Sequence, residues 1–202
     1  EVIIETTKEC NLNCMHCGSD CVGKAHRKEL TVDDWFSVIT GLAMMGVKKI
    51  VFSGGEPTLK RGFGDMLWCA NANSIKVGFI SNGLVPFSEF LQKDIDRVKP
   101  FAVGLSIDGL KETHNQIRRN KNSWSGIMQN ISILQDLNIN ICAITTLHKL
   151  NYHEMPNIAA FLEMAEIGSW QVQLASPSGR MTQQMNHLIN EEDFRKICNH
   201  VF

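Results

Sequence analysis

Short apolar runs alternate with longer amphipathic stretches from one end of this chain to the other, and that alternation limits its possible folds more than any single motif. VIIE near the N-terminus, KKIVFS, IKVGFI, FAVGLSI, NICAITT and WQVQLA have the length and the β-branched or aromatic content of strands. Between them the period turns helical. Thr31 with Asp34 three residues on is a capping signature, Trp35, Val38, Ile39, Leu42 and Met45 recur at helical spacing, and Gly46 suits the stop. Further helices are predicted over about 62–73, 88–98 and 123–137, then one opened by Asn151 with Glu154 as a second capping box, and a last one from about Asn190. Strand-then-helix units in strict succession imply a parallel sheet with helical crossovers, as an open doubly wound sheet or a partial barrel.

Side-chain alternation within two strands separates these possibilities. From Phe101 onward, Val103, Leu105 and Ile107 share one face, while Ala102, Gly104, Ser106 and Asp108 share the other. Likewise Trp170, Val172 and Leu174 alternate with Gln171 and Gln173. A doubly wound sheet covers both faces with helices and has little use for Ser, Asp or Gln beneath them. A lumen that holds a polar ligand accepts them, and so does an edge strand wetted on one side. The expected fold class is therefore α/β, a partial (β/α)6 TIM-like barrel of six parallel strands, and 202 residues suffice for one such domain.

Hydrophobic residues make up 44% of the chain, charged residues 20%, and the net charge is -1, which argues against disorder and against a nucleic-acid partner. No apolar run nears the roughly 20 residues of a membrane span, and no basic-then-apolar leader opens the sequence, so a cytoplasmic protein is expected. Both ends read as cut: Glu1 runs directly into a strand, and Phe202 falls inside a helical pattern. The seven cysteines are odd in number, and without an export signal they suit metal ligation or catalysis better than disulfides.

Four of those thiols crowd into CNLNCMHCGSDC, with Cys10, Cys14 and Cys17 spaced C-x3-C-x2-C and Cys21 following. Zinc usually takes paired knuckles, and no second knuckle exists. Four thiolates would close an iron–sulfur cluster into an electron carrier; three would leave one iron open to a small ligand. Cys21, Cys69, Cys142 and Cys198 read as structural.

CNLNCMHC resembles the cysteine signature of radical S-adenosylmethionine (radical SAM) enzymes, and four further stretches match that family in order. SGGEP (Ser53, Gly54, Gly55, Glu56, Pro57) resembles the segment that meets the methionyl amino group of the cofactor. SNG from Ser81 and Asn82, and SIDG from Ser106 to Asp108 and Gly109, resemble those that end the third and fourth strands near methionine and ribose. Arg118 stands where peptide- and protein-modifying members carry an Arg for the methionyl carboxylate, and His16 stands where an aromatic residue is commoner. The cysteine loop, SGGEP, SNG and SIDG each follow a predicted strand, which is where parallel barrels place their ligand loops.

The resemblance implies a 4Fe-4S cluster on Cys10, Cys14 and Cys17, S-adenosylmethionine on its open iron, reductive cleavage to a 5′-deoxyadenosyl radical, and hydrogen abstraction from a substrate. Gln171 or Gln173 would meet adenine or substrate. SIDG with His114 and Arg118, together with QLASPSGR, look most like members that carry a C-terminal SPASM region and act on peptides or proteins; that region is not expected within these residues. Implied partners are a peptide or protein substrate and a low-potential flavodoxin- or ferredoxin-like electron donor. The rivals are haem or quinone cofactor biosynthesis and a four-cysteine electron-transfer protein.

Overall fold

The computed structural model describes every residue except Val22, residues 24–28, Phe90 and Phe202. Strands β1 (Val2–Glu5), β2 (Lys49–Ser53), β3 (Lys76–Ser81), β4 (Ala102–Ser106), β5 (Ile141–Leu147) and β6 (Ser169–Leu174) form one parallel sheet in chain order. Each strand pairs only with its sequence neighbours, so β1 and β6 are both edges. The predicted alternation is present throughout, with helices as the crossovers.

Helices α1 (Val32–Met44), α2 (Phe63–Ala72), α3 (Gln92–Val98), α5 (Ser123–Asp136) and α6 (Met155–Met164) follow the predicted order. Residues Ile39, Ile50, Phe52, Met66, Leu67, Phe79, Ile95, Val103, Leu105 and Ile127 are sealed between these helices and the sheet. Phe52, Phe63, Phe79 and Phe87 run edge to face through this layer, with successive ring centroids 5.8, 5.5 and 5.7 Å apart. Each such pair adds about 0.5–1.5 kcal/mol beyond the burial itself.

The start of α1 follows its sequence signature: Asp34 N donates to Thr31 Oγ1 (3.2 Å) and Thr31 N to the Asp34 carboxylate (2.8 Å). The predicted apolar stripe is narrower than its five residues suggest. Trp35 and Ile39 are buried and Leu42 half-buried, whereas Val38 and Met45 are 38% and 81% exposed. At about 100° per residue, positions 38 and 45 lie well off the line through 35, 39 and 42.

Three elements depart from the reading. Helix α4 (Lys111–Arg118) is an addition; its buried residues are His114, Ile117 and Arg118, so its helical period is carried mostly by polar side chains. The region read as one helix over about 88–98 is a short 3₁₀ turn (Phe87–Glu89) followed by α3, with Phe90 outside the described residues. Asn151 and Glu154 form no capping box, because both side chains reach across to the loop after β4. The last helix, α7 (Glu191–Val201), does open at Asn190, whose Oδ1 accepts from Asp193 N at 2.8 Å; Phe202 lies outside the described residues.

The two strands used to argue for a lumen behave differently from one another. In β4 the Val103, Leu105 and Ile107 face is buried against helices, while Ser106 opens on the interior cavity. In β6, Gln171 and Gln173 also face that cavity, yet the strand is the wetted edge as well: Val172 and Leu174 are 39% and 47% exposed. No helix is long and apolar enough to cross a membrane, among the described residues.

Candidate active site

Loops at the C-terminal ends of the strands surround one cavity of about 360 Å³, within the range of small-molecule sites. The β1 loop contributes Cys10, Cys14, His16, Cys17 and Cys21. Ser53 at the end of β2 with Gly54 and Gly55 after it, Ser81 and Asn82 at β3, and Ser106 at β4 line the same cavity. Helix α4 adds Arg118, and Ile80 and Ile144 supply apolar wall. Glu56, Pro57 and Asp108 are buried but lie behind this lining rather than in it.

The thiol loop is held from several sides. Cys10 N donates to Gly23 O (2.9 Å), Met15 N to Ile117 O on α4 (3.1 Å), and Asn82 Nδ2 to Asn11 Oδ1 (2.8 Å) while lying 3.8 Å from Cys10 Sγ. Arg118 Nη1 points at Cys14 Sγ from 3.6 Å. Burial pushes the Cys10 thiol up to about 11 and raises Cys14 as well, the latter against the pull of Arg118. Cys17 is lowered to about 5 because the Cys21 thiol donates to it, which in turn raises Cys21. Among the described residues no three such side chains converge on one point as a single-ion site requires. The thiolates of a cubane each take a different iron and need no shared point, so a loop of separated thiols on one cavity suits a cluster.

SGGEP packs directly on that loop. Gly55 N donates to Thr7 O (2.7 Å) and Glu56 N to Glu9 O (2.8 Å). A Cβ at Gly54, whose φ is +147°, would stand 2.5 Å from Thr7 O, and one at Gly55 would stand 2.2 Å from Glu9 O. Glycine is obligatory at both positions, and the result is a bare backbone wall lining the cavity beside the thiol loop. Glu56 faces the other way: its carboxylate accepts from Asn82 N (2.7 Å), Ser81 Oγ (2.9 Å) and Thr58 Oγ1 (2.7 Å), stitching the end of β2 to the end of β3. Burial raises its pKa, with those donors pulling the other way.

At the end of β4, Asp108 Oδ2 pairs with Arg118 Nη2 at 2.6 Å and Oδ1 accepts from Thr146 N at 3.0 Å. Burial alone would raise this carboxyl, but the adjacent guanidinium holds it down at about 2. His16 Nε2 lies 3.4 Å from the same Oδ2, and its ring sits 5.7 Å from that of His148. Burial keeps His16, His148 and His114 neutral, lowering them to about 4, 4 and 3. Asp108 N donates to His114 Nδ1, and Asn151 Nδ2 donates to Asp108 O (2.8 Å). Glu154 accepts from Leu110 N (2.8 Å) and from the Thr113 hydroxyl. Arg118 Nε and His16 Nδ1, on residues that line the cavity, are buried with no hydrogen-bond partner among the described residues. A buried guanidinium N–H beside a polar cavity suits an acceptor such as a carboxylate.

Three contributors were not picked out as site residues from the sequence. Thr146 on β5 lines the cavity and accepts from Gln173 Nε2 (2.9 Å). His148, just past β5, supplies the ring beside His16. Arg180, in the SPSGR stretch, reaches back to the thiol loop. Of these only the Gly-Arg pair after β6 left a local signal, a turn residue followed by a cation at a rim position.

The chain is similar to known proteins in sequence and in fold. Residues 4–162 match the profile of the radical SAM superfamily. The Fe-coproporphyrin III synthase of Methanosarcina barkeri is 27% identical over 198 residues, which is 98% of this chain and 49% of that protein. The sporulation killing factor maturation protein SkfB of Bacillus subtilis is 31% identical over 155 residues, 77% of this chain and 37% of that protein. This chain thus spans half or less of either relative's length. Among solved structures, Streptococcus suis SuiB bound to S-adenosylmethionine superposes with a TM-score of 0.81 at 16% identity, covering 99% of this chain and 46% of SuiB. The anSMEcpe structure with bound AdoMet gives 0.80 at 18% identity, covering 97% of this chain and 57% of that one. Its α/β architecture is therefore that of the TIM-barrel-like radical SAM enzymes, and the chain belongs to the radical SAM superfamily.

Proposed function

We propose that this chain is the barrel core of a radical SAM enzyme acting on a peptide or a protein side chain. The observation that carries the reading is the placement around one cavity of the C-x3-C-x2-C thiol loop, with Cys21 also on the lining, a glycine backbone wall, and a buried guanidinium nitrogen with no hydrogen-bond partner among the described residues. In this reading Cys10, Cys14 and Cys17 hold a 4Fe-4S cluster, and Cys21 is a neighbour of the cluster, not a ligand. When bound, the cluster and S-adenosylmethionine together supply one-electron cleavage of a carbon–sulfur bond and a carbon radical that takes hydrogen from the substrate.

The remaining tasks fall to side chains and backbone already in place. Arg118 offers Nε to the methionyl carboxylate while Asp108 fixes its other end; the Ser53–Gly55 backbone serves the methionyl amino group. Ser81, Asn82 and Ser106 lie near enough to the same wall to orient the ribose, with Glu56 and Pro57 buttressing from behind. His16 takes the position of the usual aromatic residue. Apolar Ile80 and Ile144 keep water from the reacting carbon, which protects a radical from wasteful quenching.

Peptide modification is favoured by SkfB and by the likeness in fold to SuiB, which has been solved with its precursor peptide SuiA. A second reading, tetrapyrrole chemistry, is favoured by the length of the match to the Methanosarcina synthase, 98% of this chain against 77% for SkfB. The seven free thiols suit the reducing cytoplasm, where a flavodoxin- or ferredoxin-like donor would deliver the electron.

The test is anaerobic reconstitution with iron and sulfide, reduction, and addition of S-adenosylmethionine, with 5′-deoxyadenosine as the product to be measured. Cys14→Ala is expected to abolish both cluster and product, and Cys21→Ala to keep the cluster. A cluster lost with Cys21→Ala would favour the four-thiolate electron carrier and sink the enzyme. Product formation stimulated by iron-coproporphyrin and by no peptide would replace the peptide reading with the second one.

A further inference from the structure

The sheet offers no bond between its first and last strands, yet the loop after β1 is joined to the segment after β6. Arg180, only 9% exposed, makes that seam. Its Nε donates to Cys14 O (2.8 Å), Nη2 to Cys21 O (2.9 Å) and Nη1 to Asp20 Oδ1 (2.9 Å), and its backbone N donates to Cys17 O (3.0 Å). One residue thus grips the chain at Cys14, at Cys17 and on the far side of Cys17, from a position 166 residues away from Cys14. The preceding residue makes room for it. Gly179 has φ +52°, and a Cβ there would stand 2.3 Å from Cys17 O and 2.4 Å from Gly18 O.

We propose that Arg180 is a positioning residue for the thiol loop, fixing the backbone on both sides of Cys17 so that Cys14 and Cys17 stand ready to bind together. The proposal rests on the functional reading above, and it concerns the rim between β6 and β1, where no sheet hydrogen bonds exist to set the loop. A planar guanidinium is suited to the task because it presents three donors in fixed, separate directions to three acceptors. An ammonium at the same place supplies the charge but not the fork.

The experiment compares wild type with Arg180→Gln, Arg180→Lys and Asp20→Asn. Two readouts are taken: iron and sulfide bound per chain after anaerobic reconstitution, and amide hydrogen exchange of the metal-free chain. Arg180→Gln is expected to lower cluster content about tenfold, the scale on which groups supporting metal ligands act. Arg180→Lys is expected not to rescue it. Asp20→Asn, at a side chain 64% exposed, should stay within about twofold of wild type, as an exposed ion pair is weak. In the metal-free chain, Arg180→Gln should speed exchange at Cys17 and Asp20 about tenfold while the β2 and β3 amides keep their rates, because only a local opening is released. Wild-type cluster content in Arg180→Gln, rescue by Arg180→Lys, or unchanged exchange at those two amides each overturns the proposal.

If Arg180→Gln does not fold, Gly179→Ala attacks the same seam from its other side. It is expected to lose cluster to a similar degree, and a wild-type content there counts equally against the clamp. A wild-type chain that takes up no cluster defeats the functional reading instead, and amide exchange then decides the clamp by itself.

Discussion

Two carboxylates sit fully buried at the rim of this molecule, Glu56 after β2 and Asp108 after β4, and they are kept there by opposite means. Glu56 is surrounded by neutral donors, two hydroxyls and backbone N–H groups, and its pKa rises. Asp108 is paired with a guanidinium and falls to about 2. Dipoles can satisfy the lone pairs of a buried carboxylate without fully offsetting the loss of water, whereas an adjacent full charge can. The β2–β3 rim is therefore a carboxyl group held by uncharged donors, and the β4–β5 rim is an ion pair ringed by neutral histidines.

The largest break in that contrast should come from Arg118→Gln. Asp108 would be left buried beside no cation, and breaking a buried pair from one side costs about 3–5 kcal/mol. Urea unfolding of the metal-free chain at pH 7 measures this, and a loss under 1 kcal/mol would mean that the pair is not the keystone of its rim.

Acid comes next in size. Unfolded His114 takes its proton near 6.5 and the folded residue not until about 3, so the unfolded chain binds more protons between those values. Stability must then fall as pH drops through that window, by about 2 kcal/mol at pH 5 from this residue alone. Urea midpoints at pH 7 and pH 5 should separate in wild type and draw closer by that amount in His114→Gln.

Glu56→Gln should cost less, about 1–3 kcal/mol, since an amide group must present a donor toward donors that the carboxylate accepted. Its pH dependence has the reverse sign. The folded pKa of Glu56 lies above the unfolded 4.5, so its contribution to stability is largest in acid and declines as pH rises through the raised value. The cost of Glu56→Gln should accordingly shrink with rising pH in unfolding titrations. The smallest effect, about 1 kcal/mol, is expected for Thr31→Ala at the α1 cap, remote from both rims. A thermal melt of that variant combined with Arg118→Gln should show simple additivity.

The same contrast explains what the sequence disclosed. Features fixed by neighbours in the chain were legible: the Thr31–Asp34 cap, the six strands, and the order of thiols, SGGEP, SNG and SIDG along one rim. The stripe on α4 was not, because its period is written in His114, Ile117 and Arg118, and a search for apolar spacing passes over two of the three. Asn151 and Glu154 have the look of a local cap and serve instead the loop after β4, so cap-type residues at the same spacing as Thr31 and Asp34 give a wrong local answer. Asp108 was legible as a rim residue but its partner was not: the 2.6 Å contact with Arg118 requires knowing how α4 turns back over β4.

Leaving the first and last strands unpaired has a consequence for traffic. A closed ring of strands admits its guests only through the mouth, in single file. Here β1 and β6 share no sheet bond, and a side chain, Arg180, spans the gap beyond their ends, so anything passing on that flank meets side chains rather than a hydrogen-bonded ladder.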